Sequence, residues 1–237
     1  MYVFTTAKVS TGFDAYNITI INIELILHPM KLLALSDLHG DYSHVESILD
    51  LAGDFDAVLI AGDITNFGPD EHALELLEML KEPVLAIPGN CDNPSILKVL
   101  DENTISLHNS VHTMHGLTFV GLGGSNPTPF NTPFELSEKK IGEYVGKLLS
   151  RLNGRTILLS HAPPLNTTDR LPRGNVGSEA LARFLGRLDL IVCGHIHEAR
   201  GTVCVKGTCV VNPGAASKGQ GALITIKDCI STEFIDV

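Results

Sequence analysis

The stretch KLLALSDLHGD, residues 31–41, is an apolar run that ends abruptly in polar residues. A short, continuous apolar run of this kind is typical of a strand that is buried in a parallel sheet. In open α/β sheets, ligands collect just beyond the carboxyl ends of such strands. Asp37 and His39 stand two residues apart, so in an extended segment both side chains point to the same side. A carboxylate and an imidazole that converge in this way predict half of a metal site.

The composition limits the class of protein. With 237 residues the chain fits one large domain, or at most two, with a substantial core. No apolar run approaches the roughly 18 residues that a membrane span needs. The net charge of −10 argues against a general nucleic-acid surface or an anionic membrane as partner, because phosphate-backbone binding normally needs a basic face. Five cysteines without a CxxC pair indicate neither a disulfide scaffold nor a cysteine zinc site, so a reducing cytoplasm is the expected location.

Residues 1–29 are predicted to be an N-terminal extension of a single domain that covers residues 30–237. The apolar segment ITIINIELIL, residues 18–27, contains two polar residues and follows no basic cluster, which makes it a poor signal peptide. Its alternate isoleucines and leucines would fall on one face of a strand, so a β-element is the better interpretation. Met30 is a natural start for the first core strand. Whether the extension is a genuine appendage or reflects the choice of gene start stays open.

From Lys31 onward, apolar runs alternate with segments of helical pattern, which predicts repeated β-α units and a parallel sheet. The predicted strands are residues 32–35, 57–61, 84–87, 156–159 and 188–193. The predicted helices are residues 43–51, 69–81, 94–100, 137–152 and 178–185, with Pro69 and Ser178 as starts. Residues 112–122 and the chain after Gly201 have the pattern of β-hairpins. Parallel units followed by hairpins suggest two sheets with helices outside.

Ligand-type side chains follow each of the five predicted strands. Any one of them alone would more often cap a turn or lie solvated on the surface. One set at every strand end is hard to produce as turn chemistry, because the carboxyl ends of parallel strands meet at one edge of a sheet. Seven such side chains are too many for one metal ion and suit two ions that share a carboxylate. They are Asp37, His39, Asp63, Asn90, His161, His195 and His197.

The motifs DLHGD, GDITN, GNCD, SHAPP and GHIH together resemble the calcineurin-like metallophosphoesterase superfamily, whose pattern is D-x-H, G-D, G-N-H-[DE], H and G-H-x-H. The stretches CGHIHEARG and VVNPGAAS are further similar to its Icc-related phosphoesterase branch. The resemblance covers the chain from Lys31 onward. It implies an α/β fold, a four-layer αββα sandwich of two mixed β-sheets flanked by helices, with a dinuclear metal centre.

Carried over by position, the resemblance assigns Asp37, His39, Asp63 and His197 to one ion, and Asp63, Asn90, His161 and His195 to the other. Asp63 would bridge the two ions. Two divalent ions, two carboxylates and a bridging hydroxide leave a charge of about +1, which is available to a phosphate oxygen. Imidazole and oxygen ligands without thiolate favour Mn, Fe, Co, Ni or Zn.

The expected activity is hydrolysis of a small phosphoester, a phosphodiester rather than a monoester, with the bridging hydroxide as nucleophile. Asp63, Asn90, Cys91 and His161 form the expected catalytic set. The alternative is a non-catalytic interaction scaffold that merely keeps the metallophosphoesterase fold. Loss of ligands would favour the scaffold, and all seven ligands are present.

Cys91 is the one departure from the family pattern, which has a histidine at this position. In the family that histidine contacts the substrate phosphate and assists the leaving group, whereas a thiol is a weak hydrogen-bond donor. The resemblance extends to a subset with cysteine here, some of which are phosphodiesterases. Slower chemistry on esters with poor leaving groups is therefore expected. Asp92 is predicted to orient a ligand histidine.

Two loops, residues 123–135 and 163–178, leave the site side of the predicted sheets and are expected to select the substrate. Arg170 and Arg173 are candidates for a second phosphate and Phe130 for stacking on a base, which leaves a nucleotide open as the substrate. Solvated arginines and a packed phenylalanine are the alternatives. A homo-oligomer stays open as well.

The hairpin VCVKGTCVV, residues 203–211, predicts a contact between two cysteines. A two-residue turn at Lys206-Gly207 would place Cys204 directly opposite Cys209. A disulfide is then within reach. In a reducing cytoplasm two free thiols are expected instead.

Overall fold

The computed structural model describes residues 29–80, 83–150 and 152–237. The predicted β-element of the N-terminal extension lies outside these residues. The strands are β1 Met30–Leu35, β2 Ala57–Ala61, β3 Val84–Ile87, β4 Ile105–Ser106, β5 Ser110–Met114, β6 Leu117–Leu122, β7 Thr156–Ser160, β8 Arg170–Leu171, β9 Gly174–Asn175, β10 Leu190–Val192, β11 Gly201–Val205, β12 Thr208–Asn212, β13 Gln220–Ile226 and β14 Ile230–Asp236. The helices are α1 Val45–Ala52, α2 His72–Met79, α3 Ile96–Asn103, α4 Glu138–Leu149 and α5 Glu179–Ala182.

Twelve of these strands form two six-stranded sheets. The first has the order β14-β13-β1-β2-β3-β4, in which β1 to β4 run parallel, β13 runs antiparallel to β1, and β14 runs antiparallel to β13. The second has the order β11-β12-β10-β7-β6-β5, with parallel central strands and one antiparallel strand at each edge. Both sheets are therefore mixed. The remaining pair, β8 and β9, is a separate short hairpin that the sequence pattern did not predict.

Successive side chains of a strand face opposite sides of its sheet, and this alternation builds the layers of the sandwich. In β1, Leu32 and Ala34 pack between the two sheets, in a core that also contains the fully buried Phe119 of β6. Leu33 and Leu35 point the other way, into a second core that α1, α2 and α3 cover. The outer face of the second sheet packs against α4 and α5 in the same manner. The predicted four-layer αββα sandwich is confirmed.

Helix starts agree with the sequence at one predicted position and differ at the other. Ser178 caps α5, where its hydroxyl accepts from the backbone N–H of Leu181 at 3.1 Å. Pro69 does not start α2, which begins at His72. The N–H of His72 instead donates to the Pro69 carbonyl, so a tighter turn precedes the helix. Within residues 29–80, 83–150 and 152–237, no helix is long and apolar enough to cross a bilayer.

The β11–β12 hairpin has the predicted register. Val205 pairs with Thr208 across the turn, and Cys204 pairs with Cys209. The two cysteine Cα atoms are 4.2 Å apart and the structure joins the side chains in a disulfide, where two free thiols were expected for a reducing cytoplasm. The spacing is that of a non-hydrogen-bonded pair, in which facing side chains come closest.

Candidate metal centre

The carboxyl ends of β1, β2 and β3 in the first sheet and of β7 and β10 in the second meet at one edge of the sandwich. Each strand end delivers at least one of the seven predicted ligands within a few residues. The chain leaves these buried strands in loops, where polar groups no longer have to be matched by a neighbouring strand. The site is therefore assembled from both sheets, and its geometry depends on how they pack together.

A first group consists of Asp37, His39 and His197. The Nε2 atom of His197 lies 3.2 Å from Oδ1 of Asp37 and 3.3 Å from Nε2 of His39. One donor atom from each of the three residues lies within 4.8 Å of the others. The backbone N–H of His195 donates to both carboxylate oxygens of Asp37, at 3.2 and 3.1 Å. That contact fixes the carboxylate beside the two imidazoles.

A second group consists of Asp63, Asn90 and His161. The Nε2 atom of His161 lies 3.4 Å from Oδ2 of Asp63 and 2.9 Å from Oδ1 of Asn90. The other ring nitrogen, Nδ1, lies 2.7 Å from the carbonyl oxygen of Ala61. Because a carbonyl can only accept, Nδ1 carries the proton. The Nε2 atom is thereby turned toward the oxygens of Asp63 and Asn90, the orientation that a metal-binding histidine would need.

Asp63 lies between the two groups. Its Oδ2 atom is 3.8 Å from Nε2 of His39 and 3.4 Å from Nε2 of His161. Its Oδ1 atom accepts from the backbone N–H of Cys91 at 2.7 Å. The carboxylate is thus held on one oxygen and presents the other to histidines of both groups, which is the arrangement that a shared ligand needs.

His195 stands apart from the other predicted ligands. Within the described part of the chain, it belongs to none of the three residue groups whose donor atoms lie within 4.8 Å of one another. Its ring centroid is 5.1 Å from that of His161. Burial, together with the nearby His161, lowers the pKa of His195 to about 4. The imidazole is therefore neutral near pH 7, the form that binds metal.

The backbone is strained at four of the seven predicted ligands. Asp37, His39, Asp63 and His195 all have positive φ angles, of 56°, 50°, 51° and 68°. Non-glycine residues rarely adopt this conformation, although Asp, Asn and His do so more often than others. Such residues cost about 1–3 kcal/mol each and cluster where function requires them. The clustering supports a functional site at these strand ends.

Two glycines leave room for the carboxylates. A Cβ atom on Gly89 would collide with the side chain of Asp63, and one on Gly194 would lie 2.5 Å from Oδ2 of Asp37. These glycines belong to the GN and GH motifs, but they were not among the predicted site residues. A glycine directly before a ligand in each motif was the available signal.

The charge of the site calls for a cation. Asp37 and Asp63 have 0% and 2% of their surface exposed, and within the described residues their ion-pair partners are histidines, not lysine or arginine. Burial alone would lower the pKa of His161, but the Asp63 carboxylate raises it to about 9. In the absence of a metal ion, a proton on the His161 ring thus balances the negative charge of Asp63. Carboxylate, amide and imidazole donors fit divalent transition metals.

Cys91 lies at the margin of the centre, and its Sγ atom is within 4.8 Å of donor atoms of His39 and Asp63. Burial, reinforced by the charge of Asp63, raises the pKa of the Cys91 thiol well above its usual value. The thiol therefore stays neutral and is a poor proton donor to a substrate.

Asp92 does not orient a ligand histidine, contrary to the prediction. Its buried carboxylate accepts four hydrogen bonds, from the backbone N–H groups of Ile64, Thr65 and Gly89 and from the Thr65 hydroxyl, at 2.7–3.0 Å. Every one of these donors lies in the loops after β2 and β3. The carboxylate therefore ties together the loops that carry Asp63 and Asn90, because loop backbone has no strand partners to satisfy its N–H groups.

The orientation of the Asn90 amide comes from residues that were not predicted to belong to the site. Its Nδ2 group donates to the hydroxyl of Thr132 at 3.1 Å, and that hydroxyl donates to Oε1 of Glu135 at 2.7 Å. The same Glu135 oxygen also accepts from the backbone N–H of Thr132 and from the hydroxyl of Thr128. With Nδ2 engaged, Oδ1 of Asn90 faces His161. Nothing in the local sequence distinguishes Thr132 from an ordinary loop threonine.

The predicted substrate loops differ in their relation to the centre. Arg170 and Arg173 lie in the β8–β9 hairpin, both exposed, and Arg170 donates to Oδ1 of Asn175. Phe130 is 81% exposed, so it is not the packed phenylalanine of the alternative interpretation. The loop that contains Phe130 is the one that carries Thr132 and so touches Asn90 directly.

Fold and site together define a metallophosphoesterase. The family described as calcineurin-like phosphoesterase matches residues 30–199, and the chain belongs to this family, as the motifs predicted. An uncharacterized protein of Methanocaldococcus jannaschii is 36% identical over 199 residues, which cover 79% of this chain and 89% of that protein. The "Probable cyclic nucleotide phosphodiesterase" of Coxiella burnetii is 31% identical over 108 residues, 38% of this chain and 44% of that protein.

The fold is also that of solved structures. A dimetal phosphatase from Danio rerio superimposes with a TM-score of 0.64 at 12% identity, over 88% of this chain and 97% of that one. At this identity the likeness establishes the fold alone. The sandwich fold is therefore common to proteins whose sequences have diverged widely.

Proposed function

We propose that the protein is a metal-dependent phosphodiesterase with two divalent ions. The observation that carries this proposal is the position of the Asp63 carboxylate between the histidines of the two ligand groups. Asp37, His39 and His197 would hold one ion with Asp63, and Asn90, His161 and His195 would hold the other with Asp63. When bound, such ions acidify a shared water and stabilise the attacking and leaving oxygens of an in-line displacement.

The chain's own residues have defined tasks in this proposal. The Cys91 N–H holds the Asp63 carboxylate in position, and the Ala61 carbonyl holds the His161 ring. The Thr132 hydroxyl keeps the Asn90 oxygen turned inward. The neutral Cys91 thiol supplies little acid catalysis, so esters with good leaving groups should react faster than simple alkyl esters.

The proposal extends to the substrate, the metal and the cellular location. A nucleotide phosphodiester as substrate is supported by the name of the Coxiella burnetii relative, which shares less than half its length with this chain. Imidazole and oxygen ligands without a required thiolate suit Mn, Fe, Co, Ni or Zn, and manganese is the metal of this set that we propose to test first. We retain a cytoplasmic location as part of the proposal. Cys91 is the only departure that suits the interaction scaffold, and against it all seven ligand positions carry ligand-type side chains, four of them at positive φ angles.

A direct experiment combines metal analysis with hydrolysis. The purified protein, loaded with Mn²⁺, is expected to bind close to two ions per chain and to hydrolyse bis(p-nitrophenyl) phosphate faster than p-nitrophenyl phosphate. Chelation should remove the activity and Mn²⁺ should restore it. A protein that binds no divalent ion, or binds two without hydrolysing any phosphoester, would contradict the proposal.

A further inference from the structure

Phe67 is a phenylalanine that its own conformation and packing do not explain. It lies in the loop after β2 with a φ of 62°, and 56% of its surface is exposed. A bulky residue in the left-handed region is a conformational outlier, and glycine or asparagine would occupy the position at lower cost. Because the side chain gains little from burial, packing does not offset this cost. An outlier of this kind at the rim of a site suggests a functional reason.

The backbone of Phe67 is fixed beside the metal centre. Its N–H donates to the carbonyl of Cys91 at 2.9 Å, and its own carbonyl accepts from the side chain of Asn93 at 3.2 Å. The main chain is therefore tied on both sides to the segment that follows Asn90, while the ring remains open to solvent. A mobile surface loop would not need two such anchors.

Phe130 approaches the same segment from another loop. Its loop is attached to Asn90 twice, through the bond from Asn90 Nδ2 to Thr132 and through the bond from the Phe134 N–H to the Asn90 carbonyl, at 3.1 Å each. The carbonyls of Asn90 and Cys91 are thus each taken by a loop that carries an exposed phenylalanine. The exposed Phe234, in contrast, already packs against the guanidinium of Arg200.

We propose that Phe67 and Phe130 form a subsite for a planar aromatic ring carried by the phosphoester substrate. This inference rests on the proposed function and names the substrate class that the same site selects. Phenylalanine faces stack on planar rings, and such stacking tolerates many ring types. The subsite flanks Cys91, where the neutral thiol provides no strong acid. A nucleobase and a simple aryl group both offer a planar aromatic ring, but they differ in the distance between the ring and the phosphorus atom.

The test compares two ligands that share a phosphorus head group. Titration calorimetry of the Mn²⁺-loaded protein with phenylphosphonate and methylphosphonate isolates the contribution of the ring. The wild-type protein should bind phenylphosphonate tighter by roughly 5- to 100-fold, the range seen when a stacking aromatic is removed. In Phe67→Asn and in Phe130→Ser this preference should fall several-fold, while methylphosphonate affinity stays within a factor of two.

A measurement of thermal stability distinguishes a binding role of Phe67 from a structural one. Phe67→Asn should unfold at a higher temperature than the wild-type protein, because asparagine accepts the left-handed conformation. The matched control is His115→Asn, in the β5–β6 turn at a φ of 51°. It should relieve strain in the same way and leave the ring preference unchanged. A Phe67→Asn protein that loses stability and binds both phosphonates equally worse would overturn the inference.

One further ligand pair, compared with the two phosphonates, distinguishes the sources of the ring. If the ring is a nucleobase, adenosine monophosphate should bind more tightly than ribose 5-phosphate, and this difference should depend on Phe67. If the ring is a simple aryl group, only phenylphosphonate should bind more tightly than its counterpart without a ring. No gain in either pair overturns the inference and leaves the proposed function standing. Failure of every phosphorus ligand to bind overturns both.

Discussion

The backbone N–H of Cys91 donates to Oδ1 of Asp63 at 2.7 Å, so the residue that departs from the family pattern holds the predicted bridging carboxylate through its main chain. The side chain of Cys91 is not needed for this bond. Cys91→Ala should therefore change kcat/KM for bis(p-nitrophenyl) phosphate by only a few-fold. The measurement is steady-state kinetics of the Mn²⁺-loaded proteins, with metal content checked.

The pH dependence provides a separate check on Cys91. Burial and the charge of Asp63 raise the pKa of the thiol in the metal-free protein, so a Cys91 that is not a metal ligand should keep its proton over about pH 6–9. The pH–rate profiles of Cys91→Ala and the wild-type protein should then have the same shape. Cys91→His should favour alkyl esters, because an imidazolium can protonate a poor leaving group. An alanine variant without activity would assign the thiol an essential role.

Asp63→Asn should reduce hydrolysis to background and lower the number of bound ions. Asparagine accepts the left-handed conformation at this position and can still accept from the Cys91 N–H, so the fold should survive. The substitution removes only the negative charge of Asp63, which the two predicted ligand groups share. Metal analysis and kinetics are the measurements. Asp41→Asn, at an exposed carboxylate in the same segment as Asp37, is the matched control and should retain both properties.

Thr132→Val should weaken metal binding or activity by about 10- to 100-fold, the usual effect of removing a partner of a metal ligand. Valine keeps the shape of threonine but frees the Asn90 amide to rotate. Thr132→Ser keeps the hydroxyl and should restore most of the loss. Side-chain amide signals of Asn90 in NMR spectra should broaden or shift in the valine variant alone. Equal behaviour of the two variants would show that loop packing, not amide orientation, matters.

Asp92→Ala should destabilise the fold by at least about 3 kcal/mol, because three buried backbone N–H groups lose their acceptor at about 1–3 kcal/mol each. Urea unfolding of the metal-free protein measures this loss. Asp101→Ala, at an exposed position of α3, should leave stability nearly unchanged. An Asp92→Ala protein that is stable but inactive would instead support the role predicted from the sequence, in which Asp92 orients a ligand histidine.

The Cys204–Cys209 pair tests the cellular location. Among five cysteines, Cys91, Cys193 and Cys229 are free in the structure. Alkylation of the purified, air-oxidised and denatured protein should therefore modify three thiols. Rapid alkylation in intact cells should modify all five if the protein resides in a reducing cytoplasm. Three modified thiols in cells would contradict the proposed location.

The sequence predicted the sandwich well because both of its sheets are built from buried strands with continuous apolar runs. The predicted bounds of β2 and β3 match the structure, and the edge hairpins have the predicted turns. The strand pair β8–β9 escaped prediction because two-residue strands carry no periodicity. The metal-ligand set could be proposed from strand ends alone, since topology brings those ends together.

What the sequence could not predict depends on contacts between distant loops. Thr132 meets Asn90 across 42 positions, and the donors to Asp92 reach back 28 positions. No local pattern encodes such partners. The strain at Phe67 is likewise visible only in backbone angles, because phenylalanine in a turn-rich stretch gives no sign of a positive φ.

The pairing of β1 with β13 has a consequence for biosynthesis. Strand β1, which leads to Asp37 and His39, lies between β2 and β13, and β13 starts at Gln220. A ribosome therefore has to deliver nearly all of the chain before the first core strand gains its second neighbour. Until then β1 offers an open edge to other chains. Non-local pairing of this kind slows folding, so nascent chains should depend on chaperones more than a helical protein of equal length.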